Sequence, residues 1–256
     1  MFDGGTPLAT ALSDSTTGHT PAVPDDQPII ITIDGPAGTG KSTVARLLAK
    51  RLGLGFLDTG SMYRAATAIF IDSKFERDEV GEFVSKVMGA DLHFDWSQDP
   101  PVILAWDDPY DDRIRDPDVT ATVSWVATLG ELRNHMVRKQ RIIAAQHPRL
   151  VTEGRDQGSV AFPDAFIKFY LDAEPTVRAK RRSDQLKLDG HDVDPSEMLT
   201  RILERDRVDS TRDDGPLICP DDAIVVDTSA MDVNDVVDHL ESAVRERLAA
   251  GARADA

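Results

Sequence analysis

The chain has 256 residues and carries 29 Lys and Arg against 45 Asp and Glu, a formal net charge of −16 at pH 7. That balance excludes a broad nucleic-acid-binding surface, and the single cysteine, Cys219, excludes an internal disulfide and a zinc site built on several thiolates. No stretch has the length and apolarity of a membrane helix, and a lone thiol suits a reducing compartment, so a cytoplasmic protein without a membrane partner is expected.

Residues 1–28 are rich in Thr, Ser, Pro, Gly and Asp, and the first Lys or Arg in the chain is Lys41. A secretory or transit segment would carry positive charge there, so this stretch is expected to be a flexible extension. The apolar run Ile29-Ile30-Ile31-Thr32-Ile33-Asp34 reads as a buried strand. Gly35-Pro36-Ala37-Gly38-Thr39-Gly40-Lys41-Ser42-Thr43 follows directly and fits G-x-x-x-x-G-K-[ST], the phosphate-binding loop. A helix over 41–52 comes next, with Val44, Leu47, Leu48 and Leu52 on one face. Glycines allow successive backbone N–H groups to turn inward, and the helix N-terminus adds partial positive charge. Lys41 reaches the outer phosphates and Ser42 can ligate Mg²⁺, so the segment predicts binding of a nucleoside triphosphate such as ATP.

A short strand at 55–58 and a helix from about Gly60 to Ile71 continue the alternation. Residues 72–116 interrupt it with strands at His93–Asp95 and Val102–Trp106 between Asp/Pro turns, which predicts a small β-containing insertion. Helical pattern resumes over 117–146. Strands follow at 150–153 and 166–171, then an arginine-rich helix at about 175–187. The polar break Asp189-Gly190-His191-Asp192 suggests a mobile lid over about 178–195. A helix at 196–210, a strand at 223–227 and an amphipathic helix near 232–249 complete the pattern, leaving 250–256 as a tail. Alternating β and α with Ile/Val-rich strands predicts an α/β fold, a parallel sheet flanked by helices with ligands at the carboxyl ends of the strands. The single domain is expected over 29–249, with its core at 29–71, 117–182 and 196–249.

The chain lacks the Asn-Lys-x-Asp signature of regulatory GTPases and the Leu-Ser-Gly-Gly motif of transport ATPases. It carries instead arginines at strand ends and on helix faces, equipment for holding two phosphorylated molecules in opposition. Beside the phosphate loop stand Leu57-Asp58-Thr59-Gly60-Ser61-Met62-Tyr63-Arg64, Ser124 with Arg133, and Glu153-Gly154-Arg155-Asp156-Gln157-Gly158. Arg178-Ala179-Lys180-Arg181-Arg182 and Glu204-Arg205-Asp206-Arg207-Val208-Asp209-Ser210-Thr211-Arg212 follow. With these segments the chain resembles the bacterial cytidylate kinases, a branch of the phosphate-loop nucleoside monophosphate kinases, from about residue 29 to 249.

The resemblance implies phosphoryl transfer from MgATP to CMP or dCMP by a monomer. It gives Arg64, Arg155 and Arg212 to the acceptor phosphate, Arg205 and Asp209 to the ribose, and Arg178 and Arg182 to ATP on the lid. Arg205, Asp209 and Arg212 also share one helix face by their spacing, which a plain surface ion-pair ladder would explain equally. Ser124, Arg133 and Asp156 become the base-reading trio, since a carboxylate pairs with the cytosine amino group and an arginine with its ring acceptors. Thr59 and Tyr63 fall beside the acceptor pocket; family members often carry Ser in place of Thr59. Lys41 stabilises charge on the transferring group, Ser42 ligates Mg²⁺, and Glu153 orients metal-bound water. A kinase of UMP or AMP with the same architecture is the alternative within enzymes, and a nucleotide-sensing binding protein is the alternative outside them.

Overall fold

A computed structural model describes residues 27–188, Gly190 and residues 193–254. Most of the expected extension, residues 1–26, lies outside the described residues, as do Asp189, His191 and Asp192 of the expected lid and the last two residues of the tail.

Five strands, β1 (Ile29–Asp34), β2 (Gly55–Asp58), β6 (Arg149–Glu153), β7 (Ile167–Asp172) and β8 (Ile224–Asp227), form one parallel sheet in the order β2-β6-β1-β7-β8. Their apolar residues alternate between two cores because successive side chains leave a strand on opposite faces. Ile29, Ile31, Ile33 and Val151 pack against Val44 and Leu48 of α1 (Lys41–Leu52) and against Val237, Leu240 and Val244 of α8 (Val233–Ala254). Ile30 and Leu150 face the other way. They meet a second core built on α2 (Thr59–Asp72), α3 (Val80–Gly89), α4 (Pro117–Val126) and α5 (Gly130–Gln146). Helices on both faces leave only the sheet ends open, as expected for a parallel sheet. A smaller core of Ala179, Met198 and Ile202 joins α6 (Pro175–Leu188) to α7 (Pro195–Thr211).

Between α3 and α4 lies a three-stranded antiparallel sheet of β3 (His93–Asp95), β4 (Val102–Ala105) and β5 (Asp108–Pro109). The sequence reading expected strands here but not α3. Val80, Phe83, Val84 and Val87 form an i, i+3, i+4, i+7 stripe, and Phe83 packs edge-on against Phe70 with ring centroids 5.1 Å apart. The helical stretch 117–146 is also two helices rather than one. It breaks at Ala127–Leu129, and the freed carbonyl of Ala127 accepts from Arg133 Nη1 at 3.1 Å.

Every strand of the parallel sheet ends in an acidic residue: Asp34, Asp58, Glu153, Asp172 and Asp227. The carboxyl edge of the sheet is therefore a row of carboxylates onto which the loops carrying basic residues fold.

Candidate active site

The loop between β1 and α1 closes tightly over the sheet edge. Gly35 has φ +145°, and a Cβ there would stand 2.0 Å from the carbonyl oxygen of Leu171 on β7, so no other residue fits without moving that strand. Lys41 begins α1 and is buried; its Nζ donates to Pro36 O at 2.7 Å. Burial, and next the Arg155 guanidinium, push its ammonium down to about 7, while Glu153 and Asp34 oppose the shift.

Ser42 Oγ donates to Glu153 Oε1 at 2.9 Å, joining the first turn of α1 to the end of β6. Parallel register sets Asp58 beside Glu153. Burial first, then the Glu153 carboxylate, push Asp58 up to about 7. Asp58 also caps α2, accepting from Ser61 N at 3.0 Å. Thr59 Oγ1 donates to Glu153 O at 2.7 Å, so its hydroxyl is engaged in tying β6 to α2.

Asp209 on α7 is the hub of the arginines. It accepts from Arg155 Nε at 2.9 Å and pairs with Arg212 at 3.5 Å and Arg205 at 3.9 Å. Burial acts against its charge, but Arg155, Arg205 and Arg212 hold the carboxyl below the ordinary aspartate range. Arg205 is pushed down to about 10 by burial and then by Arg155, with Arg64 and Arg182 adding to the effect. Arg155, Arg205 and Arg212 thus converge on the Asp209 carboxylate, and Arg64 and Arg182 lie near enough to act on Arg205. Two of their buried donors, Nε of Arg205 and Nη2 of Arg212, make no hydrogen bond. Unpaired buried donors in a cluster of like charge are costly, and a phosphate group satisfies both demands. Arg64 is held at the rim by Ile114 O at 3.2 Å and Thr120 Oγ1 at 3.0 Å, and Arg182 Nη1 donates to Gln185 at 2.8 Å.

Arg133 from α5 and Asp156 form a buried ion pair. The guanidinium lies 5.5 Å from the centroid of the Tyr63 ring, and the Tyr63 hydroxyl makes no hydrogen bond. Burial pushes that phenol up to about 12, so it stays protonated. Ser124 is half-buried on α4, one turn before the Ala127 carbonyl that Arg133 holds. Gly215 closes this corner. Its carbonyl accepts from Arg212 Nε at 2.7 Å, and a Cβ would stand 2.4 Å from both Arg133 Nη2 and Asp156 Oδ2.

Arg178 occupies a different position from Arg182. It is buried, with Nε donating to Ala173 O at 2.8 Å and Nη1 to Ala37 O at 3.0 Å and Asp206 Oδ2 at 2.5 Å. Asp206 Oδ1 accepts from Ala37 N at 3.2 Å, so the pair grips both ends of one phosphate-loop residue. The sequence reading passed over Asp34, Asp58, Asp206 and Gly215. Asp34, Asp58 and Asp206 fall inside segments it quoted, and strand-terminal acids beside a phosphate loop are the signal for Asp34 and Asp58. Nothing in the sequence pattern marks Gly215.

The family described as cytidylate kinase matches residues 31–246 of this chain. A cytidylate kinase of Corynebacterium efficiens is 43% identical over 218 residues, covering 84% of this chain and 94% of that protein. One from Corynebacterium glutamicum is 44% identical over 215 residues, covering 83% and 92%. A third, from Nocardia farcinica, is 38% identical over 227 residues, covering 89% and 98%. A match of this extent, over a parallel sheet whose phosphate loop stands beside a cluster of arginines, shows that the chain belongs to the cytidylate kinase family.

Proposed function

We propose that the protein transfers the γ-phosphoryl group of ATP to CMP, giving ADP and CDP, with dCMP as a second acceptor. The observation that carries this reading is the buried Arg133–Asp156 pair standing beside a cluster of arginines that reaches Lys41 of the phosphate loop.

Bringing ATP and a monophosphate together concentrates about six negative charges, and their repulsion must be offset before the phosphates approach in line. Arg64, Arg155 and Arg212 are suited to grip the acceptor phosphate, with Arg205 and Asp209 on the ribose. Lys41 would supply positive charge to the phosphoryl group as it moves from donor to acceptor. The attacking atom is a phosphate oxygen whose second pKa is about 6, so it is mostly deprotonated at neutral pH and needs no general base. Asp156 accepts from the exocyclic amino group of cytosine and Arg133 donates to the ring acceptors. Uracil sets a carbonyl against the carboxylate and loses about 1–3 kcal/mol.

The Ser42 hydroxyl and the crowded carboxyls of Glu153 and Asp58 are hard oxygen groups that fit a magnesium ion. Ser42 would ligate it directly and Glu153 would orient its water. When bound with ATP, the ion screens charge on the β- and γ-phosphates.

Residues 29–71, 117–182 and 196–249 serve as the kinase core in this reading, about 72–116 as an insertion beside the acceptor, and about 178–195 as a lid that excludes water. The protein works in the cytoplasm as a monomer on small molecules, with neither nucleic acid nor membrane as partner. No helix among the described residues is long and apolar enough to cross a membrane.

The test is ADP release from MgATP in a coupled assay, with CMP, dCMP, UMP, AMP and no acceptor compared. Turnover strongest with CMP and negligible without acceptor is expected. Preference for UMP or AMP overturns the base reading, and turnover independent of acceptor overturns the kinase.

A further inference from the structure

Asp34 is a fully buried carboxylate at the end of the central strand, immediately before the phosphate loop. Its hydrogen bonds are to backbone amides. Oδ1 accepts from Gln157 N at 2.9 Å and Oδ2 from Gly158 N at 2.7 Å. Those amides open the single π-helical turn Gln157–Ala161, whose first free N–H groups would otherwise point into a dry interior. Arg155 and Asp156 are the two residues just before it, so the carboxylate fixes the backbone from which both side chains project. A second contact fixes the same segment to β1: Gly154 N donates to Ile33 O at 3.1 Å. On the other side, Asp34 leads into Gly35, which Leu171 confines.

We propose that Asp34 is a positioning residue that locks the acceptor-reading segment Arg155–Asp156 to the strand carrying the phosphate loop, and so sets base preference without touching substrate. Two charge-assisted bonds to backbone N–H groups are about twice as strong as neutral ones, which is why a carboxylate rather than an amide is needed. Asparagine offers one acceptor and turns an NH₂ toward the second amide. The π-turn then shifts, and Asp156 moves off the position it needs for the cytosine amino group.

The inference rests on the CMP kinase reading, and the acceptor comparison on the unaltered enzyme tests that reading separately. For Asp34→Asn, the CMP-over-UMP ratio of kcat/KM is expected to fall about tenfold through a raised KM for CMP, with KM for ATP changed by less than about threefold. In an Asp156→Ala background the same substitution should leave the ratio unchanged, because Asp34 acts through Asp156. An unchanged ratio in Asp34→Asn, or a full further drop in the Asp156→Ala background, overturns the proposal. So does equal damage to ATP and CMP parameters. If the variant does not fold, amide hydrogen exchange on the unaltered protein decides. Gln157 and Gly158 should exchange with the slowest core amides, and exchange of either at the rate of exposed loops contradicts the lock.

Discussion

Replacing Lys41 by methionine should remove activity and raise stability at the same time. Lys41 is 5% exposed, and burial with the nearby Arg155 lowers its pKa from 10.5 to about 7. The lowered value means that holding the ammonium in the folded state costs several kcal/mol relative to the unfolded chain. Methionine removes that cost and also the Nζ–Pro36 bond of 2.7 Å, which returns about 1–2 kcal/mol. The net gain is on the order of 2 kcal/mol at its largest. Its pH dependence has a definite sign. Between about 7 and 10.5 the unfolded chain binds the lysine proton and the folded chain does not, so the contribution of Lys41 to stability rises with pH across that window. Below about 7 both states are protonated and the full cost is present. The advantage of Lys41→Met should therefore be greatest below pH 7, shrink as pH rises, and reverse before pH 10.5, where only the lost bond to Pro36 remains. Urea unfolding of both proteins from pH 6 to 10, together with turnover at pH 7.5, measures both effects. Loss of at least about 100-fold in kcat with a raised midpoint is expected. A variant less stable than the parent at pH 6, or a difference that does not change with pH, would refute the assignment of Lys41 as a buried, unfavourably placed cation.

Arg178→Ala leaves the half-buried Asp206 with only the Ala37 amide and releases the Ala37 carbonyl, so a loss of about 1–3 kcal/mol in unfolding free energy is expected, with a raised KM for ATP. Normal stability would show that the grip on Ala37 is dispensable. Glu153→Gln should raise the Mg²⁺ concentration needed for half-maximal turnover about tenfold while leaving ATP-independent CMP binding unchanged; an unaltered Mg²⁺ titration removes Glu153 from the metal site. Arg212→Lys keeps the charge but loses the planar fork that reaches Gly215, and KM for CMP should rise about tenfold with kcat less affected.

The phosphate loop was legible because nine contiguous residues, the strand before them and the helix after them all state the same local geometry. The parallel sheet was legible from the alternation of Ile- and Val-rich strands with helices. Helix α3 was missed even though its stripe is helical, because the strand-like runs and Asp/Pro turns of the β-containing insertion drew the reading away from it. The pairings inside the site were beyond local reading. Arg133 and Asp156 lie 23 residues apart on different elements, and Asp206 reaches Ala37 across 169 residues. Only resemblance to a family brought the first pair together in advance. Arg178 and Arg182, four residues apart on α6, share a helix face, yet their surroundings differ. Arg178 is buried against Ala173, Ala37 and Asp206, whereas Arg182 is part-exposed and donates to Gln185, a difference no local pattern states.

The most direct measurement is the ratio of kcat/KM for CMP and UMP in the unaltered enzyme and in Asp156→Ala. The expected result is a strong preference for CMP that collapses by about tenfold or more in the variant, because the acceptor for the cytosine amino group is gone and uracil no longer faces a carboxylate. A ratio that survives the substitution would contradict the base-reading role of the Arg133–Asp156 pair and place cytosine recognition elsewhere in the fold.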